Sequence, residues 1–233
     1  MKIALLGYGR MGKEIEKIAL QRGHEIVIRS TSNSTYIITD ADVAIDFSVP
    51  TSAVKNISNC IENQVTVISG TTGWLEKYDE VVDLCNEKKG AFIYASNFSI
   101  GVNIFFELNK QLAKMMHALS EYQISLEEIH HTQKLDAPSG TAITLAEGII
   151  ENSTKSAWKL EGKKSAEIVP ITSKRIADVP GTHIINYASE VDSIEIKHTA
   201  HNRTGFALGA VVAAEWILNK KGVFTMKDVL NIG

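Results

Sequence analysis

The first hundred residues constrain the fold most, because they alternate between strand and helix and a glycine turn opens the series. Lys2–Leu6 is a short, nearly continuous apolar run, the pattern of a strand buried on both faces. Gly7-Tyr8-Gly9-Arg10-Met11-Gly12 follows at once, and Ile15, Ile18 and Ala19 then recur at helical spacing up to Gly23. Residues 25–28 read as a second strand. A G-x-G-x-x-G turn between strand and helix is the dinucleotide-binding fingerprint. Gly7 would allow the tight turn, Gly9 the close approach of a pyrophosphate, and Gly12 the packing of helix on strand. The free amides of the helix N-terminus would face the phosphates.

The alternation continues. Strands are expected at 43–47, 65–69 and 91–95, and helices at 50–63 and 75–89. Strands alternating with helices imply a parallel sheet with helices on its faces. Only residues 29–42 link the second and third strands. Parallel crossovers need a dozen or more residues, so the helix there is expected to be vestigial. After Asn97 the rhythm changes. A long helix is expected over 99–119, with Ile104, Phe105, Leu108, Leu112 and Met115 on its apolar side. A strand is expected over 123–130 and a helix over 139–152. At least two strands fall within 168–200, near 182–188 and 193–199, and helices at 205–219 and 226–230. The expected architecture is α/β. It has a Rossmann-like parallel-sheet domain, 1–98 with 205–233 returning to it, and a second α/β domain with a mixed sheet, 99–204.

Composition narrows the class of function. Hydrophobic residues make up 44% and charged residues 22%, ordinary values for a globular protein with a sizeable core. A formal net charge of -3 argues against nucleic-acid binding, which needs a clustered basic surface. Cys60 and Cys85 form no CxxC pair and sit in helical segments, so buried reduced thiols are expected. No segment approaches the roughly 20 apolar residues of a membrane span. Ile3-Ala4-Leu5-Leu6 is too short for a signal-peptide core. A cytoplasmic enzyme without a membrane partner is the expectation.

Ligands in open parallel sheets bind at the carboxyl ends of the strands. Three such ends here are rich in small or polar residues: Asp46-Phe47-Ser48, Gly70-Thr71-Thr72-Gly73 and Ala95-Ser96-Asn97-Phe98. Together they are expected to hold a nicotinamide and its ribose. An NAD-selective fold usually carries an acidic residue at the end of the second strand. This chain reads Arg29-Ser30-Thr31-Ser32-Asn33 there. An arginine and hydroxyls suit a 2′-phosphate, so Arg29 and Thr31 point to NADPH, with NADH as a possible second cofactor.

The run from Glu128 to Ala142 holds a second concentration of chemistry. His130 and His131 are neighbours in an extended strand and therefore point to opposite faces. They also lack the spacing of a zinc-binding helix, so no metal is expected. Lys134 is a point charge suited to holding a carboxylate or giving up a proton. Ser139, Gly140 and Thr141 would expose backbone amides and a hydroxyl at a helix N-terminus, a ready carboxylate site.

At these residues the chain resembles a known family. His130-His131-x-x-Lys134-x-Asp136-Ala-Pro-Ser-Gly-Thr-Ala142 is similar to the signature of the dihydrodipicolinate reductases (4-hydroxy-tetrahydrodipicolinate reductases) of bacterial lysine synthesis. Gly7–Gly12, Asp46–Ser48, Gly70–Gly73 and Ser96–Asn103 match that family's other motifs in order. The resemblance implies a Rossmann-like cofactor domain, a mixed α/β substrate domain that builds a homotetramer, and reduction of a small dicarboxylate ring. It further implies that His130 and Lys134 are the acid groups, while His131, Ser139, Gly140 and Thr141 hold the substrate. Arg203 is a further carboxylate candidate. The glycine turn is one residue shorter than the commoner family form, and residues 30–41 are a much shorter stretch. Two other readings are a different two-domain nicotinamide dehydrogenase of amino-acid metabolism and a non-catalytic NADPH sensor. The first gives no reason for His130-His131-x-x-Lys134, and the second none for a complete acid cluster.

Overall fold

The computed structural model describes residues 1–31, 34–163, 165–202 and 204–232. The chain divides into two compact units, residues 1–103 with 203–233 and residues 104–202.

The first unit is built on β1 (Lys2–Leu6), α1 (Arg10–Gln21), β2 (Glu25–Ser30), β3 (Val43–Asp46), α2 (Pro50–Glu62), β4 (Thr66–Ser69), α3 (Tyr78–Glu87) and β5 (Ala91–Tyr94). The returning segment adds α6 (Thr204–Ile217), β11 (Gly222–Phe224) and α7 (Met226–Leu230). The sheet runs β11-β5-β4-β3-β1-β2, and every pairing is parallel. Such a sheet must be covered on both faces. Ile3 and Leu5 of β1 face a core with Ile15, Ile18, Ala210 and Ala214. Ala4 and Leu6 face the opposite core, with Ile57, Ile61, Val81 and Cys85. Among the described residues, the link between β2 and β3 has only the 3-10 turn Ile38–Asp40 for a helix. The winding reverses between β1 and β3, and that crevice at the carboxyl ends is where an open parallel sheet takes its ligand.

The second unit holds β6 (Gln123–His130), α5 (Gly140–Ile150), β7 (Ala157–Leu160), β8 (Ile168–Arg175), β9 (Gly181–Ala188) and β10 (Ser193–Ala200). Its sheet runs β10-β9-β6-β8-β7 and is mixed: β9 is antiparallel to β6 and β10, whereas β8 is parallel to β6 and β7. α5 lays Ala142, Leu145, Ala146 and Ile149 into a core with Leu126, Val169, Ile171 and Ile185.

The helix α4 (Ile100–Met116) corrects one sequence expectation. Of the five residues expected on its apolar side, Phe105 is buried, but Ile104, Leu108 and Met115 are exposed. The buried stripe is Val102, Phe105, Asn109, Ala113 and Met116. This helix is apolar around most of its circumference, so its period names no single face. The strands β7 and β11 are short, at 4 and 3 residues, and no expectation had named them. Among the described residues no helix is long and apolar enough to cross a membrane.

Candidate active site

The glycine turn divides its duties as the sequence suggests. Gly7 has φ +98, and a Cβ on it would lie 2.2 Å from the Phe47 carbonyl oxygen. Its amide and that of Tyr8 donate to the Ser30 carbonyl at 3.1 and 2.9 Å, tying the end of β1 to the end of β2. A Cβ on Gly12 would lie 2.4 Å from the Gly7 carbonyl oxygen, so α1 seats directly on the turn. Gly9 differs from both, since a Cβ there would meet nothing within 4 Å. Gly9 is also the N-cap of α1 and supplies no side-chain bond, which leaves the first-turn amides without a side-chain cap. Arg10 is exposed and Met11 packs against the adjoining core. These features fit a dinucleotide pyrophosphate.

Beside the turn lies a cluster that the sequence did not announce. Tyr8 Oη donates to Glu16 Oε2, and Arg29 Nε donates to Glu16 Oε1 at 2.8 Å. Bonds from Arg29 and Tyr8 hold the Glu16 carboxyl below its ordinary range, and the same carboxylate raises the Tyr8 hydroxyl. Arg29 is thus already paired, by a carboxylate from α1 and not from β2. Thr31 is exposed, and its amide donates to Ser34 Oγ at 2.8 Å. Ser32 and Asn33 lie outside the described residues, as does Arg203.

At the crevice the ends of β3 and β4 are cross-linked by one fully buried carboxylate. Asp46 Oδ1 accepts from Ser48 Oγ at 2.7 Å and Asn56 Nδ2 at 2.9 Å. Its Oδ2 accepts from Ser69 Oγ at 2.8 Å and Thr71 Oγ1 at 2.7 Å, and the Ser48 amide donates to Thr71 Oγ1 at 2.8 Å. The Phe47 ring meets Phe98 at 5.7 Å between centroids, and a Cβ on Gly70 would strike Phe47 Cζ at 2.3 Å. Asn97 is fixed at its carbonyl by Asn103 and at its side chain by the Ser99 amide. The Ala95 amide donates to the Ser69 carbonyl, while Thr72 and Ser96 are exposed. The structure therefore brings together Phe47, Ser48, Gly70, Thr71, Asn97 and Phe98 more firmly than Thr72 and Ser96.

In the second unit β6 alternates between less and more buried positions with period two, so Ile124, Leu126, Glu128 and His130 share its buried face. Hydrogen-bond register supplies the neighbours. Ser173 and Arg175 of β8 stand opposite Glu128 and His130, and His183 of β9 stands opposite Glu128. Glu128 is 0% exposed. Its Oε1 accepts from Ser173 Oγ at 2.7 Å and Arg175 Nη2 at 3.0 Å, and its Oε2 lies 2.6 Å from His130 Nδ1. Burial opposes charge on Glu128, but the neighbouring His130, Ser173 and Ser139 outweigh it and hold its carboxyl well below the usual carboxylate range. Arg175 also donates to the carbonyls of Lys134 and Asp136, pinning the loop after β6. There Lys134 Nζ bonds Asp136 at 2.8 Å.

Ser139 caps α5, accepting from the Ala142 amide at 3.2 Å, and its hydroxyl meets His183 Nε2 at 3.1 Å. Gly140 and Thr141 open the helix, and a Cβ on Gly140 would meet nothing within 4 Å. His131 lies off the buried face, as the alternation requires. Among the described residues Glu128, His130 and His183 form a group whose ligand atoms lie within 4.8 Å of one another, as a metal site requires. The Arg175 guanidinium on the same carboxylate and the direct Glu128–His130 contact disfavour a dication there. Glu128, Ser173, Arg175 and His183 had no role in the sequence reading. The period-two pattern of β6 was the available signal for Glu128, and no local signal existed for the other three.

His183 predicts a pH dependence. Burial first, then the neighbouring His130, His198 and Lys134, push its pKa down to about 3 against an opposing pull from Glu128. A lowered histidine stabilises the fold fully above the unfolded value of about 6.5, and that contribution drains as pH falls through 6.5 towards 3. Between pH 7.5 and 5 the native protein should lose on the order of 2 kcal/mol by urea denaturation. His183→Gln should flatten this slope. An unchanged slope in the variant would remove His183 as its source.

A Rossmann-type unit with a glycine-turn anion site, joined to a mixed-sheet unit with a buried His–Glu pair and a capped helix N-terminus, defines a nicotinamide-dependent oxidoreductase. The chain belongs to the dihydrodipicolinate reductase family. The family's N-terminal model matches residues 1–98 and its C-terminal model residues 101–230. The chain is 55% identical to the 4-hydroxy-tetrahydrodipicolinate reductase of Christiangramia forsetii, covering 99% of this chain and 98% of that one. It is 36% identical to the enzyme of the same name from Thermosipho africanus, again over 99% and 98%. The fold is similar to that of a dipicolinate-bound dihydrodipicolinate reductase from Paenisporosarcina sp. TG-14, with TM-score 0.80, 23% identity and 97% coverage of both chains.

Proposed function

We propose that this protein reduces 4-hydroxy-tetrahydrodipicolinate to tetrahydrodipicolinate with NAD(P)H in the diaminopimelate route to lysine. The observation that carries the reading is the His130-His131-x-x-Lys134 run, which puts a buried histidine, a lysine and an α5 N-terminus within one strand–loop–helix segment. A reduced nicotinamide, when bound, supplies a hydride. Gly7, Tyr8, Gly9, Arg10, Met11 and Gly12 hold its pyrophosphate, Arg29 and Thr31 the adenosine side, and the three strand ends the nicotinamide side. The substrate ring carries two carboxylates. The α5 amides at Gly140 and Thr141, the Ser139 and Thr141 hydroxyls and His131 meet that charge. His130 and Lys134 supply the proton that balances negative charge on the reduced ring. The net change is loss of water and gain of a hydride and a proton, so mass spectrometry of the product tests the reading directly. A product without that mass change would refute it. The protein acts in the cytoplasm as a homotetramer.

Cofactor choice follows from Arg29 and its partner. An arginine–phosphate bond is worth roughly 1.5–3 kcal/mol, or about 10–100-fold in efficiency. Glu16 competes for the same guanidinium and repels a phosphate. The native preference for NADPH over NADH should therefore be modest. Glu16→Gln should raise the NADPH-to-NADH efficiency ratio by about 3–10-fold, and Arg29→Ala should bring it towards unity. A ratio unmoved by both substitutions would show that this cluster does not read the 2′-phosphate.

A further inference from the structure

We infer that Glu128 is the positioning residue for His130: its carboxylate, anchored by Ser173 and Arg175, holds the imidazole through Nδ1 and leaves Nε2 to meet the substrate. The inference rests on the reading of His130 as the acid.

Three observations carry it. The first is placement. Glu128 and His130 are two residues apart on one face of β6, with Glu128 Oε2 2.6 Å from His130 Nδ1. The second is anchoring. The far oxygen of the carboxylate is fixed by Ser173 Oγ at 2.7 Å and Arg175 Nη2 at 3.0 Å, so Glu128 cannot swing away without stranding the Arg175 charge. The third is the state of the ring. His130 Nδ1 is wholly buried and lies 2.6 Å from Glu128 Oε2, and among the described residues no other group bonds that nitrogen. The opposite edge faces Gly181, where a Cβ would lie 3.1 Å from His130 Nε2, so the strand beside that nitrogen is kept bare.

The surrounding groups fit this role. Arg175 faces the pair from β8, His183 from β9 with its ring 5.1 Å from that of His130, and Lys134 from the loop after β6. Ser139, which helps to hold the Glu128 carboxyl low, also meets His183 at 3.1 Å and caps α5. The proposed acid and the helix terminus proposed to hold the substrate are thus neighbours through His183 and Ser139. A carboxylate behind a histidine fixes its orientation and tautomer and compensates the charge of the imidazolium, which matters each time the ring gains or gives a proton.

The test is a double-mutant cycle on the full-length protein, with the ring substrate and NADPH. Glu128→Gln should lower kcat by about 10- to 100-fold with the NADPH dissociation constant unchanged. In a His130→Gln background the same substitution should cost less than about twofold more, because the group it acts through is gone. Additive losses, or near-native turnover in Glu128→Gln, would overturn the inference. If Glu128→Gln does not fold, Ser173→Ala loosens the same carboxylate. It should lower kcat by about threefold in the native background and not at all with His130→Gln. No loss, or equal loss in both backgrounds, would overturn the inference. A native protein inert on the ring substrate, or a fully active His130→Gln variant, would refute the functional reading itself, and the inference with it, before Glu128 is altered.

Discussion

His130→Gln and Lys134→Ala are each expected to lower kcat by about 10²-fold or more, the usual contribution of a general acid. Affinity for the nicotinamide cofactor should stay unchanged, because both residues belong to the second unit and the glycine turn to the first. Thr141→Val, which removes a hydroxyl at the start of α5, should instead act mainly on the KM of the ring substrate. Steady-state kinetics with a separate cofactor titration distinguishes these effects. Near-native kcat in both His130→Gln and Lys134→Ala would remove them from the mechanism.

The second large effect is expected at the glycine turn, where two alanine substitutions should behave differently. At Gly7 the backbone has φ +98 and a Cβ would lie 2.2 Å from the Phe47 carbonyl oxygen. Gly7→Ala must move β1 and β3 apart, costing on the order of 1–3 kcal/mol of stability as well as cofactor affinity. At Gly9 the backbone is extended with φ -87, and a Cβ would meet nothing within 4 Å. Gly9→Ala should leave stability within about 0.5 kcal/mol of native yet weaken cofactor binding at least tenfold, because the methyl occupies the approach to the phosphates. Urea denaturation and fluorescence titration of the two variants separate the roles. Unchanged affinity in Gly9→Ala would mean that the pyrophosphate does not lie over this turn.

Local periodicity alone carries much of this fold. The unbroken apolar run of β1, the glycine turn and the helical spacing of Ile15, Ile18 and Ala19 specified a strand–turn–helix unit without long-range information. The alternation of β6 placed His130 and His131 on opposite faces for the same reason. The apolar side of α4 was not legible, because Ile104, Leu108 and Met115 repeat as regularly as the residues that are buried. The partners of the His130 site were hidden by distance along the chain. Ser173 and Arg175 lie 45 and 47 residues beyond Glu128 and reach it only through the parallel register of β6 and β8. Glu16 was not legible because the ribose-carboxylate rule points to the end of β2, whereas the carboxylate that meets Arg29 comes from the second turn of α1. Asp46 stood in a recognised motif, yet two of its four hydrogen bonds, from Ser69 and Thr71, emerge only once β3 and β4 are adjacent.

The most direct measurement follows the absorbance of reduced nicotinamide with purified protein, while the preceding enzyme of the pathway generates the ring substrate in the cuvette. NADPH and NADH should both be oxidised, NADPH more efficiently, and only while the ring compound is being formed. Oxidation with aspartate semialdehyde alone, and none when the ring compound is supplied, would contradict the account.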